Sequence, residues 1–241
     1  MWSKKIQFLY FLLFLIMSFP VVVISQTFAT HTITTSADEA HSVYAVDLDG
    51  DGDVDVLSAS GDDSKIAWYE NDGSESFTAH TITTSANDAQ SVYAVDLDGD
   101  GDVDVLSASE NDSKIAWYEN DGSESFTAYT ITTSASDVES VYAVDLDGDG
   151  DMDVLSASKA DSKIAWYEND GSESFTAHTI TTSADRAQSV YAVDLDGDGD
   201  IDVLSASEND NKIAWYENDG SESFTAHTIT TSADDAQSVY A

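Results

Sequence analysis

Short apolar segments alternate with polar segments from Phe28 to the end of the chain, and the pattern returns every 49 residues. The repeat units start near five phenylalanines: Phe28, Phe77, Phe126, Phe175 and Phe224. Each full unit has four runs rich in Val, Ile, Tyr, Trp, Phe and Thr, separated by Asp-, Gly- and Ser-rich segments. These runs predict four strands, which in the second unit lie at about 91–97, 103–109, 114–119 and 126–133. No segment after residue 26 has a convincing helical period.

Four short strands in a 49-residue unit match the size of one β-propeller blade. We therefore expect an all-β fold of propeller-type blades, each of four antiparallel strands. The chain holds about four complete blades plus a partial unit, which predicts an open or truncated propeller. Val92 and Ala94 point to one face of the predicted strand and Tyr93 and Val95 to the other, so both faces are apolar. One tryptophan per unit is interpreted as core between blades rather than as a platform for sugars: Trp68, Trp117, Trp166 and Trp215.

The first 25 residues are typical of an export signal. Lys4 and Lys5 precede an apolar run that begins at Ile6, and small residues up to Ser25 suit cleavage before Gln26. The predicted domains are a signal peptide at 1–25 and a repeat region at 26–241. An uncleaved membrane anchor is the alternative, because the apolar stretch is nearly long enough to span a bilayer. Cleavage leaves no stable membrane span, and we expect the mature protein to be secreted or held at the cell surface.

Charge narrows the classes of function. The chain has 47 Asp and Glu against 8 Lys and Arg, a formal net charge of −39, so we expect no nucleic-acid partner. The absence of cysteine excludes a disulfide framework and a thiol nucleophile. A hydrophobic fraction of 41% predicts a folded core rather than a disordered acidic chain, so the acids must be concentrated in places.

That concentration lies in four copies of the loop D-L-D-G-D-G-D-x-D, here called the aspartate loops. Two carboxylates about 4 Å apart repel by roughly 4 kcal/mol at a protein surface, and a divalent cation between them turns this repulsion into coordination. Ca²⁺ fits best because it accepts many oxygen ligands with loose geometry, and we expect about one ion per complete repeat, four in all. The candidate metal ligands are Asp47, Asp49, Asp51, Asp53, Asp55, Asp96, Asp98, Asp100, Asp102, Asp104, Asp145, Asp147, Asp149, Asp151, Asp153, Asp194, Asp196, Asp198, Asp200 and Asp202.

Within the second unit, the predicted ligands are the side chains of Asp96, Asp98, Asp100 and Asp104, together with the main-chain carbonyl of Asp102. An EF-hand is the rival interpretation, but it requires a glutamate at the twelfth loop position and flanking helices. The four units carry serine at that position: Ser58, Ser107, Ser156 and Ser205.

The pattern D-x-D-x-D-G-x-x-D between two apolar strands, at blade spacing, resembles the FG-GAP/VCBS-type repeat that also occurs in the integrin α-subunit propeller. The resemblance covers Phe28 to Ala241. It implies a calcium-stabilised propeller with the ion in the loop that joins the first two strands of each blade, and it implies binding more often than catalysis. The chain departs from the family in lacking the Phe-Gly-Gly-Ala-Pro signature, with Leu-Ser-Ala-Ser in its approximate place.

The copies differ mainly in two segments of each unit, one before the first strand and one between the second and third strands. In an up-and-down blade these segments share a rim opposite the aspartate loops, and that rim is a hypothetical ligand surface. Ordinary drift after duplication is the alternative explanation. Histidines on the predicted outer strand, replaced by Tyr129 in one copy, are interpreted as solvated: His80, His178 and His227.

We expect no enzyme, because identical aspartates in every unit do not supply one asymmetric acid–base pair, and no nucleophile or nucleotide motif occurs. The sequence predicts no catalytic and no cofactor-binding residue other than the metal ligands. It predicts an exported calcium-binding repeat module for adhesion or ligand recognition, with an extracellular protein or glycan as ligand and self-association through the open propeller edges. The alternatives are a carbohydrate-binding, lectin-like module and an accessory domain of a larger extracellular enzyme.

Overall fold

The computed structural model describes residues 29–241, and the fold is that of residues 33–241. Sixteen strands form four antiparallel sheets, each built from four consecutive strands in chain order. The first sheet contains β1 (Ala40–Val46), β2 (Asp55–Ser60), β3 (Lys65–Asn71) and β4 (Phe77–Thr83), and the second contains β5 (Ala89–Val95), β6 (Asp104–Ser109), β7 (Lys114–Asn120) and β8 (Phe126–Thr132). The third contains β9 (Val138–Val144), β10 (Asp153–Ser158), β11 (Lys163–Asn169) and β12 (Phe175–Thr181), and the fourth contains β13 (Ala187–Val193), β14 (Asp202–Ser207), β15 (Lys212–Asn218) and β16 (Phe224–Thr230).

The prediction of an all-β fold with a four-stranded unit in each repeat is confirmed. The strands predicted for the second unit agree with β5 to β8 to within two residues at every boundary. The predicted signal peptide, residues 1–25, lies outside the described residues. No part of residues 29–241 forms a helix with the length and apolarity that a bilayer crossing requires.

The second strand of each sheet is the most deeply buried, because it has a strand on both sides, and in the second and third sheets a neighbouring sheet also covers each face. All six residues of β6 are buried. Leu106 lies opposite Tyr93 of β5 and opposite Trp117 of β7, so large side chains pair across three strands. The chain turns after β6 through Ser113, whose φ is +52°, and closes that turn with a hydrogen bond to Glu110.

The hydrophobic core lies between successive sheets. Val92, Ala94 and Tyr118 of the second sheet belong to a core cluster shared with the first sheet. Trp117 belongs instead to a cluster shared with the third sheet, and Tyr93 packs against that same cluster. The prediction that alternate residues cover two apolar faces is therefore confirmed. The core role is confirmed for Trp68, Trp117 and Trp166, each only 1% exposed. Trp215, in the fourth sheet, is only partly buried.

The outer faces of the first and fourth sheets show what this packing contributes. Val43 is 70% exposed in the first sheet, whereas the equivalent Val92 is 4% exposed in the second. Leu195 is 40% exposed in the fourth sheet, whereas Leu97 is 2% exposed in the second. Identical residues thus change from exposed to buried when a neighbouring sheet covers them.

The outer strands carry an aromatic stack that the sequence interpretation did not include. His80 lies on the indole of Trp68 with ring centroids 4.5 Å apart, and its Nε2 is 2.8 Å from Oε2 of Glu70. The same arrangement recurs at His178 and His227. These histidines are partly exposed, but each is held between a tryptophan and a glutamate.

The two variable segments of each repeat meet as predicted. The N–H of Glu110, between β6 and β7, donates to the carbonyl of Asp88, which precedes β5, at 2.9 Å. Lys159 and Glu208 make the equivalent bonds in the third and fourth sheets, at 2.9 and 3.1 Å. The surface formed by these segments is called the variable rim, and it comprises residues 38–41, 61–63, 87–90, 110–112, 136–139, 159–161, 185–188 and 208–210.

Candidate metal centre

Each aspartate loop connects the first strand of its sheet to the second. In the second sheet the loop leaves β5 at Asp96 and enters β6 at Asp104. The loop turns tightly through Gly99 and Gly101, whose φ angles of +76° and +102° lie in a region that side chains other than glycine rarely adopt. Asp96 holds this turn, since its two carboxylate oxygens accept hydrogen bonds from the N–H groups of those glycines at 2.8 and 3.1 Å.

Three carboxylates converge in every loop: those of its first, second and fifth aspartates. Within each group, the candidate ligand oxygens all lie within 4.8 Å of one another. The four groups, called the carboxylate clusters, are Asp47, Asp49 and Asp55; Asp96, Asp98 and Asp104; Asp145, Asp147 and Asp153; and Asp194, Asp196 and Asp202. One such cluster per repeat is the arrangement that the sequence predicts for four ions.

The last aspartate of each loop anchors its cluster to the sheet. Asp104 is 1% exposed, and its Oδ2 accepts a hydrogen bond from the N–H of Leu97 at 3.0 Å while its Oδ1 accepts one from the N–H of Asn120 at 2.8 Å. Burial raises the pKa of Asp104 to about 6, although both main-chain donors act in the opposite direction. Burial likewise raises the pKa of Asp153 to about 6. A buried carboxylate with a raised pKa gains from a nearby positive charge.

The second aspartate of each loop also has a raised pKa. Partial burial, and then the neighbouring carboxylates of Asp100 and Asp96, raise the pKa of Asp98. The pKa values of Asp49, Asp147 and Asp196 are raised as well, in each case chiefly by burial. The clusters thus hold negative charge at a cost that a cation would remove.

The third and fourth aspartates of each loop lie outside the carboxylate clusters. Oδ1 of Asp100 accepts a hydrogen bond from the N–H of Asp102 at 2.9 Å, which shapes the loop. The Asp102 carboxylate lies against Gly122, in the turn between β7 and β8. The structure therefore brings together the side chains of three of the five predicted aspartates in each loop. The residues whose side chains lie outside the clusters are Asp51, Asp53, Asp100, Asp102, Asp149, Asp151, Asp198 and Asp200.

The donor set fits a hard cation. The side-chain ligands that the clusters offer are carboxylate oxygens, and no histidine of residues 29–241 joins them. The EF-hand interpretation does not apply, because strands flank each loop and Ser107, at the twelfth position, is buried in β6 with its Oγ 3.2 Å from the Tyr118 hydroxyl. Asn120 is a residue that the sequence interpretation missed as part of the site, since Asn-Asp-Gly there indicates only a turn.

The sequence model of the FG-GAP-like repeat matches the chain four times, at residues 47–107, 96–156, 145–205 and 194–241. The chain belongs to the FG-GAP-like repeat family. Each match starts at the first aspartate of an aspartate loop.

Two solved structures are similar to this chain at 15% sequence identity each. One is a protein from Lactobacillus plantarum, with a TM-score of 0.51 over 72% of this chain and 52% of that one, so this chain spans about half of its length. The other is an Agrocybe aegerita lectin that recognises non-reducing terminal N-acetylglucosamine, with a TM-score of 0.40 over 81% of this chain and 67% of that one. No curated protein matches the chain significantly.

Proposed function

We propose that this FG-GAP-like repeat chain is an exported calcium-binding module for adhesion or ligand recognition, with one Ca²⁺ in each aspartate loop. The observation that carries the proposal is the carboxylate cluster, present in four copies with all candidate oxygens within 4.8 Å. Asp96, Asp98 and Asp104 would hold the ion in the second repeat. The bound ion supplies positive charge at the point where three negative side chains meet.

Calcium is favoured over other divalent cations by the chemistry of the loop. Zinc prefers histidine and cysteine ligands, and magnesium keeps several waters and demands a strict octahedron. Calcium accepts a larger and less regular set of oxygens, which suits a glycine-rich loop with carboxylates on alternate residues. Neutralising a carboxylate cluster also removes repulsion that the folded state otherwise carries, so binding is expected to stabilise the fold.

The variable rim supports a role in recognition. The repeats are nearly identical elsewhere, and the differences between them are concentrated on this surface. Two cations occur on the rim: Lys159 pairs with Glu139 at 2.8 Å, and Arg186 pairs with Glu208 at 3.1 Å. An extracellular protein or glycan bound there would meet a different set of polar groups at each repeat. We therefore propose that the module binds a ligand and does not catalyse a reaction.

Calorimetric titration of the calcium-free chain tests the metal site. We expect four Ca²⁺ per chain, and three for Asp98→Asn, which removes a charge from the second carboxylate cluster. Asp121→Asn is the control, since Asp121 is an exposed acid of the same repeat whose carboxylate is held by Ser123 in the turn after β7. Absence of calcium binding, or an equal loss of ions in both variants, would refute the proposed site, and magnesium is expected to bind far more weakly.

A glycan array tests recognition. We expect retention of the calcium-loaded chain on particular glycans and loss of that retention in the Lys159→Ala, Arg186→Ala double variant, with Asp121→Asn again unchanged. Retention that is unaffected by the double variant would place the binding surface elsewhere than the variable rim. A chain that binds no glycan but captures an extracellular protein would support an adhesion module instead of a lectin-like one.

A further inference from the structure

We propose that the four carboxylate clusters are coupled through buried asparagines, so that an ion bound in one repeat prepares the site of the next. This inference rests on the proposed calcium binding. The asparagines concerned, called the linking asparagines, are the last residues of β7, β11 and β15: Asn120, Asn169 and Asn218. They are 3%, 3% and 2% exposed, respectively.

Asn120 contacts two aspartate loops at once. Its main-chain N–H donates to Oδ1 of Asp104, in the carboxylate cluster of its own sheet, at 2.8 Å. Its side-chain Nδ2 donates to the carbonyl of Val103 at 3.1 Å and to the carbonyl of Leu48, in the loop of the first sheet, at 3.4 Å. One residue therefore joins a carboxylate cluster to the aspartate loop of the preceding sheet.

Leu48 is tied to the carboxylate cluster on its own side. It lies between Asp47 and Asp49, and its N–H donates to Oδ2 of Asp55 at 3.1 Å. Its side chain is 3% exposed and belongs to the core cluster shared with the second sheet. An ion that orders these three carboxylates consequently also fixes the carbonyl that Asn120 uses as an acceptor.

The same joint recurs at the other two interfaces between sheets. Nδ2 of Asn169 donates to the carbonyl of Leu97, and Nδ2 of Asn218 to that of Leu146, both at 3.4 Å. Leu97 and Leu146 are bonded in turn to their own clusters, each at 3.0 Å. Hydrogen bonds thus run in series through all four clusters, along Asp55, Leu48, Asn120, Asp104, Leu97, Asn169, Asp153, Leu146, Asn218 and Asp202.

This series favours positive coupling. A buried amide that loses its acceptor is costly, so each linking asparagine holds the facing loop in the conformation that presents its carbonyl. Ordering of a loop by one ion then reduces the ordering cost at the next loop, which raises the affinity there. Long-range electrostatics act in the opposite direction, because each bound dication weakens the negative potential at the other clusters. High ionic strength screens this electrostatic effect of one bound ion on the other sites.

Asn71 offers a matched control for the linking asparagines. Its N–H donates to Oδ1 of Asp55 at 2.8 Å, and its Nδ2 donates to the carbonyl of Val54 at 3.0 Å, which are the bonds that Asn120 makes within its own repeat. Among the described residues, its side chain makes no hydrogen bond to another sheet. A substitution of Asn71 therefore removes the side-chain bond to the carbonyl of Val54, keeps the main-chain bond to Asp55, and leaves the joints between repeats intact.

Calorimetric calcium titrations of the full chain at high ionic strength test the coupling. We expect a Hill coefficient above 1 for the unsubstituted chain and for Asn71→Ala. We expect a clearly lower Hill coefficient for Asn169→Ala, which divides the four clusters into two pairs, and an apparent affinity lower by about fivefold or more. The number of ions bound is expected to stay at four in all three proteins.

Equal titration curves for Asn169→Ala and Asn71→Ala would overturn the coupling, as would four independent sites in the unsubstituted chain. Either result leaves the proposed calcium site itself intact. Absence of calcium binding in the unsubstituted chain overturns the proposed function and the coupling with it. If circular dichroism shows that Asn169→Ala does not fold, Asn120→Ala and Asn218→Ala cut the series at its other two joints and are judged by the same criterion.

Discussion

The ring of Tyr129 stacks on the indole of Trp117, with centroids 4.8 Å apart and planes inclined by 26°. His178 stacks on Trp166 in the next sheet at 4.6 Å, also inclined by 26°. The outer strand thus selects a flat ring that covers the tryptophan, and a histidine and a tyrosine both meet that requirement.

Replacement of His178 tests this explanation. His178→Ala should lower the free energy of unfolding by about 1 kcal/mol, because it removes a stacked ring and the partner of Glu168. His178→Tyr should change the free energy of unfolding much less, since a tyrosine already stacks on the equivalent tryptophan between β7 and β8 of the second sheet. Urea denaturation at constant calcium measures both variants, and an equal loss in the two would contradict a role for stacking.

Burial between sheets is tested by one substitution at two equivalent positions. Val92→Ala should reduce the free energy of unfolding by about 2 kcal/mol, because Val92 is 4% exposed in the core between the first and second sheets. Val43→Ala should change it by less than about 0.5 kcal/mol, because Val43 is 70% exposed. The strand position and the residues on either side of the valine are the same, so similar losses in both variants would show that packing between sheets contributes little.

Glycine in the turn between β7 and β8 is required for two reasons. Gly122 has a φ of +71°, and a Cβ there would overlap the Asp102 carboxylate. Gly99 has a φ of +76° but nothing within 4 Å of an added Cβ. In the calcium-free protein, Gly99→Ala should therefore cost about 1 kcal/mol of backbone strain, and Gly122→Ala should cost clearly more. Chemical denaturation compares them, and equal costs would mean that the carboxylate moves aside freely.

The raised pKa values of Asp104 and Asp153 predict how stability depends on pH. Both are raised from 3.8 to about 6 by burial, so between these values the folded state binds more protons than the unfolded state. In the calcium-free protein, the stabilising contribution of these two carboxyl groups should therefore be complete below about pH 4 and should be lost as the pH rises from there through about 6. Exposed Asp121 has a lowered pKa, so it titrates below this interval.

Thermal unfolding of the calcium-free chain between pH 4 and pH 7 measures this dependence. The Asp104→Asn, Asp153→Asn double variant should show a flatter profile, because it removes both titrating groups. Calcium at pH 7 should restore the stability of the unsubstituted chain, since the ion takes the place of the lost protons. A calcium-free chain that becomes more stable from pH 4 to pH 6 would contradict the assignment.

Much of the fold is predictable because the sequence pattern of each strand and turn occurs in several copies along the chain. Val92 and Tyr93 point to opposite faces as alternation in a strand requires, and both faces are apolar, so sheets packed face to face follow. The surface that packs against each face is also predictable, because every unit forms a sheet with nearly the same residues on its two faces.

The carboxylate cluster is only partly predictable from sequence. The spacing of five aspartates identifies the loop, but each of the five is a candidate ligand. Which of them converge depends on local hydrogen bonds, such as the one that Asp100 accepts from Asp102. The part played by Asn120 has no sequence signal, because Leu48 lies 72 residues away and the contact exists only after the sheets have packed.

The three interfaces between sheets are made of nearly the same side chains in equivalent positions, with Val138 in the second interface where the first and third have Ala89 and Ala187. A sheet from one position therefore presents nearly the same surface to its neighbour as a sheet from another position. An in-frame gain or loss of one unit during replication would produce a longer or shorter array that keeps the same kind of interface between its sheets. Copy number is thus a quantity that selection can adjust independently of the architecture.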